Sequence, residues 1–204
     1  MEINKDKLVY LINKISKEKK NWCKSIIFKI FFNCFLIRLS KSKYSNCFVL
    51  KGGLYLSSIL GIENRATIDI DFLLEKIKME HDNVVKILKE ICDIEFDDGI
   101  EFEYLGDSPI RKNDVYGGFS IILEGRLGNI KQRFDIDLAT GDIIYPKDNN
   151  YDYECLITNE HIMLKSYSIE SIVAEKLQTF LYLGPFNSRS KDFYDLYIYL
   201  KSLK

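Results

Sequence analysis

Four aspartates stand where they can act together. In TIDIDF (67–72), one apolar residue separates Asp69 from Asp71, and RFDIDL (133–138) repeats the device with Asp135 and Asp137. On a strand, successive side chains point to opposite faces. Ile68, Ile70 and Phe72 then share one face, with Thr67, Asp69 and Asp71 on the other. In the second run Phe134, Ile136 and Leu138 point in, while Arg133, Asp135 and Asp137 point out. Carboxylates two residues apart lie roughly 7 Å apart along a strand. If the two strands pair, three or four of them face one small volume, which is costly unless a cation sits among them. An all-oxygen site suits Mg²⁺. Two such ions can clamp the attacking and leaving oxygens of a phosphoryl or nucleotidyl transfer. Two amphipathic strands with solvated acidic faces give the same pattern; the second acidic strand and a preceding glycine pair weigh against that reading.

The glycine pair lies in LKGG (50–53). Gly52 and Gly53 end a short apolar strand, CFVLK (47–51), and precede a short helix, LYLSSIL, that Gly61 stops. Backbone N–H groups at a helix start can hold a phosphate; an ordinary tight turn is the plainer reading of two glycines alone. Further on, SIESIVAEKLQTFLYL (168–183) reads as a helix with Ile169, Ile172, Val173, Leu177 and Phe180 on its apolar face. Lys176 lies on that same face, where a lysine needs an anion or must reach out to water. The next helix, SKDFYDLYIYLKSL (190–203), sets Asp192 and Asp195 one turn apart, with Asp192 in the first turn, where a carboxylate suits the helix dipole. Two readings stay open: functional charges, or surface ion pairs among Arg189, Lys191, Asp192 and Asp195 with Lys176 joined to one of them.

These residues need a scaffold, and the apolar periodicity supplies one. Helices are predicted over 3–19 and 21–39, the second more buried, and over 81–94. Strands are predicted at 47–51 and 67–74 and near 100–105, 118–127, 131–138 and 152–157. The expected fold class is α+β, with a central mixed sheet framed by helices at both ends. The expected division is a core with N-terminal helices (1–160) and a C-terminal helical region (161–204).

Composition narrows the function classes. Net charge is −1, so whole-protein charge does not announce a nucleic-acid binder. A local patch would be needed, and Arg126, Lys131 and Arg133 are the candidates, with a solvated strand face as the alternative. The five cysteines are odd in number and widely spaced, which points to reduced thiols in a cytoplasmic protein. His81 and His161 are isolated and form no metal-ligand pair. The greasiest run, SIIFKIFFNCFLIRL (25–39), is interrupted by Lys29, Asn33 and Arg38 and is too short to span a membrane; no signal peptide and no membrane association are expected.

Taken in order, LKGG (50–53), R-x-T-x-DIDF (65–72), FDIDLATGDIIYP (134–146), AEKLQTF (174–180) and RSKDFYDLY (189–197) form a specific set. It resembles the AbiEii-type nucleotidyltransferase toxins and their MenT relatives, of the DNA polymerase β-like nucleotidyltransferase superfamily. These act in type IV toxin–antitoxin and abortive phage infection systems. The resemblance implies Mg²⁺ as cofactor, a nucleoside triphosphate as co-substrate, the tRNA 3′ end as acceptor and a separately encoded antitoxin. It implies metal ligation by Asp69, Asp71 and Asp137, with Asp135 as the rival third carboxylate. Lys51, Gly52, Gly53, Arg65, Lys176 and Arg189 are then the nucleotide-binding residues, and Lys176 and Asp192 join the aspartates as residues needed for activity. Two departures stand out. Leu54 occupies the position after the glycine pair where the family usually has Thr or Ser, and the chain ends soon after the last motif, short of the family's larger C-terminal helical region.

Three other readings fit parts of the pattern. One is the same chemistry on a small molecule, as in antibiotic nucleotidyltransferases. Another is a non-catalytic interaction protein that has kept the fold, for which Leu54 is the pointer. The last, a haloacid-type phosphatase, is disfavoured because Phe72 and Leu73 follow Asp71 where a small hydroxyl residue is wanted.

Overall fold

The computed structural model describes residues 6, 8–10, 12, 14, 23–59, 69–110, 117–147, 149–155, 161–184 and 190–202. Near the start, residues 6, 8–10, 12 and 14 are helical, with Leu8 and Ile12 buried, as the periodicity over 3–19 predicts. Helix α1 (Cys23–Lys41) follows. Every residue from Ile30 to Leu39 is buried. A helix apolar on all sides belongs inside a protein, which is why its sequence shows no polar stripe.

Seven strands form one sheet in the order β3-β4-β5-β2-β1-β7-β6. They are β1 (Phe48–Lys51), β2 (Asp69–Leu74), β3 (Glu101–Ile110), β4 (Gly118–Leu127), β5 (Ile130–Ala139), β6 (Asn150–Glu154) and β7 (His161–Ser166). Between them lie α2 (Gly52–Ile59) and α3 (His81–Cys92); after them come α4 (Ile169–Leu183) and α5 (Ser190–Ser202). The sheet is mixed: β1–β7 and β2–β5 run parallel and the other neighbours antiparallel. The α+β class is therefore as expected.

Apolar alternation places the core on one sheet face. Phe48, Leu50, Ile70, Phe72, Phe134, Ile136 and Leu138 are all buried. Phe134 packs edge-on against Phe28 and Phe35 of α1 and Phe102 of β3, at 5.9–6.4 Å between ring centroids. Gly125 lets α1 come this close: a Cβ there would lie 2.2 Å from Phe31 Cδ1. Arg38 crosses this core to Asp98, donating from two nitrogens at 2.7 and 2.8 Å, and also donates to the Ile100 carbonyl at 2.8 Å. It lies over the Phe102 ring at 5.0 Å.

Three features differ from the sequence expectation. β7 is a strand the periodicity does not reveal. Its six residues carry only a weak alternation, and pairing with β1 and β6 on its two sides makes it a strand. β3 runs to Ile110 rather than stopping near 105, because ladder bonds to β4 carry it past the irregularity between Tyr104 and Gly106. The predicted apolar face of 168–183 is covered only at its start: Ile172 is buried, whereas Leu177 and Phe180 are exposed. Phe180 instead meets Phe193 of α5 edge-on at 4.8 Å. Cys34, Cys47 and Cys92 carry free thiols, and burial pushes the Cys92 thiol up to about 12. No described helix is long and apolar enough to cross a membrane.

Candidate active site

The two acidic strands are neighbours. β2 and β5 run parallel in a register that sets Asp69 opposite Asp135 and Asp71 opposite Asp137. Paired strands lie about 4.8 Å apart, so Asp71, Asp135 and Asp137 share one face and one region of the sheet. On the flanks, Lys51 of β1 is opposite Asp71, and Ser120 of β4 is opposite Asp137. Lys51, Asp71, Asp137 and Ser120 thus form a row across four strands. Asp71 and Asp137 are half-buried and Asp135 is exposed. Asp137 is the carboxylate abreast of Asp71; Asp135 is abreast of Asp69, whose side chain lies outside the described residues.

The donor chemistry fits Mg²⁺. The groups in this row that can ligate a cation are carboxylate and hydroxyl oxygens, the hard donors Mg²⁺ takes. Among the described residues no cluster of three His, Cys, Asp or Glu side chains forms a metal cage. A site of two carboxylates completed by substrate phosphates and water is the usual arrangement for this ion.

The glycine pair sits against the carboxylates. Gly52 is the first residue of α2 and has φ +75°, where side chains other than glycine are strained. A Cβ at Gly52 would fall 1.9 Å from Asp71 Oδ2. Gly52 is therefore required twice, once by its dihedral and once by the carboxylate pressed against its Cα. Leu54, which departs from the expected hydroxyl, is half-buried and packs against the core.

Lys51 is turned to the protein's own acids. Its ammonium donates to Asp142 Oδ2 at 2.5 Å, to Glu175 Oε1 at 3.0 Å and to the Tyr167 hydroxyl at 3.3 Å, and its side chain is 7% exposed. Tyr167 donates in turn to Asp142 at 3.0 Å. Burial, then Glu175 and Asp142, push the Tyr167 hydroxyl far above the usual phenol range. No residue pattern in the sequence singles out Asp142 or Glu175. Their only signals were adjacency: Asp142 follows the second acidic strand within one motif, and Glu175 precedes Lys176.

Lys176 meets both aspartates of the next helix. Its ammonium donates to Asp192 Oδ1 at 2.6 Å and lies 2.8 Å from Asp195 Oδ2, with Asp195 fully buried. The lysine on an apolar face thus has its anions, and the pair doubles as the ionic link between α4 and α5. Ser168 caps α4 by accepting from the Ser171 N–H at 3.0 Å. The basic patch is also engaged. Glu124, buried on β4, accepts from Arg126 Nε at 2.8 Å and Arg133 Nε at 3.1 Å, with Lys131 at 3.7 Å. These two arginines hold its carboxyl below the usual range. Arg65 and Arg189 lie outside the described residues.

The model of one protein family, described as nucleotidyl transferase AbiEii toxin, type IV TA system, matches residues 34–204. None of the curated proteins matches the sequence. Three solved structures match the chain. JHP933 from Helicobacter pylori is 18% identical, with a TM-score of 0.49 over 81% of this chain and 61% of its own. A protein of H. pylori assigned as a nucleotidyltransferase is 18% identical, with a TM-score of 0.50 over 83% and 65%. The antibiotic-resistance factor ANT(2'')-Ia is 14% identical, with a TM-score of 0.51 over 89% and 86%. The chain spans less than two thirds of the length of the two H. pylori proteins.

Proposed function

Since the chain belongs to the AbiEii family of nucleotidyl transferase toxins, we propose that it transfers a nucleoside monophosphate from a nucleoside triphosphate to an acceptor hydroxyl. The observation that carries this reading is the register of β2 on β5, which places Asp71 beside Asp137 against the Gly52 turn.

Asp69, Asp71 and Asp137 are the residues that would hold Mg²⁺, which supplies charge neutralisation on the triphosphate and a more acidic acceptor hydroxyl. The start of α2 at Gly52 and Gly53 offers backbone N–H groups to the β- and γ-phosphates. Lys176, held by Asp192 and Asp195, is assigned to the same phosphates, and Arg65 and Arg189 are assigned to the nucleotide as well. The acceptor oxygen attacks the α-phosphorus in line, the bond to the β-phosphate oxygen breaks, and pyrophosphate leaves. The acceptor's proton passes to Asp137. The proposed acceptor is the 3′ end of tRNA, the setting is phage defence within the cytoplasm, and a separately encoded antitoxin is the expected partner.

The test is transfer of α-³²P label from each of the four ribonucleoside triphosphates to total tRNA with Mg²⁺, beside an Asp69→Ala, Asp71→Ala double variant. Label from the wild type alone establishes the reaction and names its nucleotide. Equal labelling by the double variant would sink it. A second reading takes a small-molecule acceptor, favoured by the likeness to ANT(2'')-Ia over most of both chains. It predicts label on an aminoglycoside and none on tRNA.

A further inference from the structure

Lys51 belongs to the motif that contains the glycine pair and lies directly opposite Asp71. That position invites a role as a phosphate ligand. Its hydrogen bonds argue otherwise. An ammonium has three protons to donate, and Lys51 faces three acceptors: Asp142, Glu175 and the Tyr167 hydroxyl. Each belongs to a different part of the site. Asp142 lies on the loop that leaves β5, shortly after Asp137. Glu175 lies on α4, next to Lys176. Tyr167 sits at the head of α4, and its N–H donates to the Leu50 carbonyl of β1 at 2.9 Å. Its ring also lies 4.9 Å from the ammonium.

We infer that Lys51 is a positioning residue: its buried ammonium is the joint that sets α4, with Lys176, against the Asp71–Asp137 strands. The inference rests on the proposed transfer reaction for its catalytic consequence but not for its structural one. β1, β5 and α4 are far apart in sequence; the Tyr167 N–H bond to Leu50 holds the head of α4 to β1, and Lys51 reaches further along the helix to Glu175. Without the ammonium, Asp142 and Glu175 are two like charges that the neutral Tyr167 hydroxyl beside them does not balance, which drives α4 away from the sheet. The nucleotide would still meet Gly52 and Gly53 but would lose Lys176, which moves with α4, and the α-phosphorus and the acceptor would be misaligned.

Two variants of the full chain test this: Lys51→Met, and the milder Glu175→Gln, which removes the charge of one half-exposed partner and keeps the fold. Amide hydrogen exchange is followed without nucleotide, and kcat and KM are measured for ATP, GTP, CTP and UTP with Mg²⁺. In both variants exchange in 169–183 is expected to quicken, by about tenfold in Lys51→Met, with β2 and β5 unchanged. The kcat is expected to fall on the order of 10- to 100-fold, and KM to rise with it as Lys176 leaves the phosphates. A raised KM with kcat and α4 exchange unchanged would make Lys51 a phosphate ligand and overturn the inference. Unchanged exchange in both variants would overturn it too. If the wild type transfers nothing, the proposed function has failed, and the exchange data still decide the joint. Should Lys51→Met not fold, Glu175→Gln tests the Lys51–Glu175 tie alone: quicker exchange in 169–183 supports the joint, and unchanged exchange overturns it.

Discussion

Asp71 and Asp137 stand opposite one another on parallel neighbouring strands, and Gly52 closes against Asp71 with no room for a Cβ. The charge of each carboxylate, rather than its bulk, is what the proposed chemistry uses. Asp71→Asn and Asp137→Asn keep the shape and remove the charge. Each is expected to lower transfer by about 10²–10³-fold or more while changing stability by less than about 1 kcal/mol. Single-turnover transfer and chemical denaturation of the same preparations check both halves.

Gly52→Ala should fail on both counts. The left-handed backbone costs about 1–2 kcal/mol for a residue with a Cβ, and the added carbon collides with the Asp71 carboxylate. Asp71 must move or α2 must shift. The expected result is a lower unfolding free energy together with loss of Mg²⁺-dependent triphosphate binding. Wild-type binding in a folded Gly52→Ala would refute the close approach.

Lys176, Asp192 and Asp195 divide into two tasks. Asp195 is fully buried and Asp192 is partly open to water. Asp195→Asn leaves Lys176 with less charge to face inside the protein and should destabilise the chain by about 1–3 kcal/mol. Asp192→Asn should cost less stability and more activity. Melting temperatures and initial rates of the two variants, set side by side, test the division.

Arg38 and Asp98 form a bidentate pair with almost no exposure. Removing one partner strands the other charge in the core. Asp98→Ala is expected to destabilise by about 3–5 kcal/mol, with no effect on KM in whatever fraction remains folded. Urea titration gives the first number and nucleotide kinetics the second.

His81 joins the start of α3 to β3. Its Nδ1 faces Asp82 at 2.8 Å and its Nε2 faces Asp107 at 2.9 Å; Tyr104 also donates to Asp107. Asp82 first, and Asp107 second, raise the imidazole above its ordinary 6.5. A group raised on folding stabilises fully below its unfolded value and loses that contribution as pH climbs through its folded value. His81→Gln should therefore lower the melting temperature most below about pH 6.5, with the gap to wild type closing as pH rises further. A gap that widens with pH would contradict this pairing.

Whatever depends on neighbours along the chain is legible before folding. Strand alternation is a local property, so the face shared by Asp69 and Asp71, and that shared by Asp135 and Asp137, could be read directly. The glycine pair at a strand-to-helix turn, the buried α1 and the odd placement of Lys176 were legible for the same reason. The register that sets Asp71 beside Asp137 rather than Asp135 comes from folding, because β3 and β4 intervene in the chain and ladder bonds across the sheet fix the alignment. Folding also decides where Lys51 points. Its partners lie 91 and 124 residues away, and a buried ammonium takes the acceptors that folding brings to it, which no local pattern encodes. β7 became a strand by the same route, through hydrogen bonds offered on both sides, and the exposed outer half of α4 shows the converse: an apolar stripe states what a helix can bury, while the fold decides how much of it is covered.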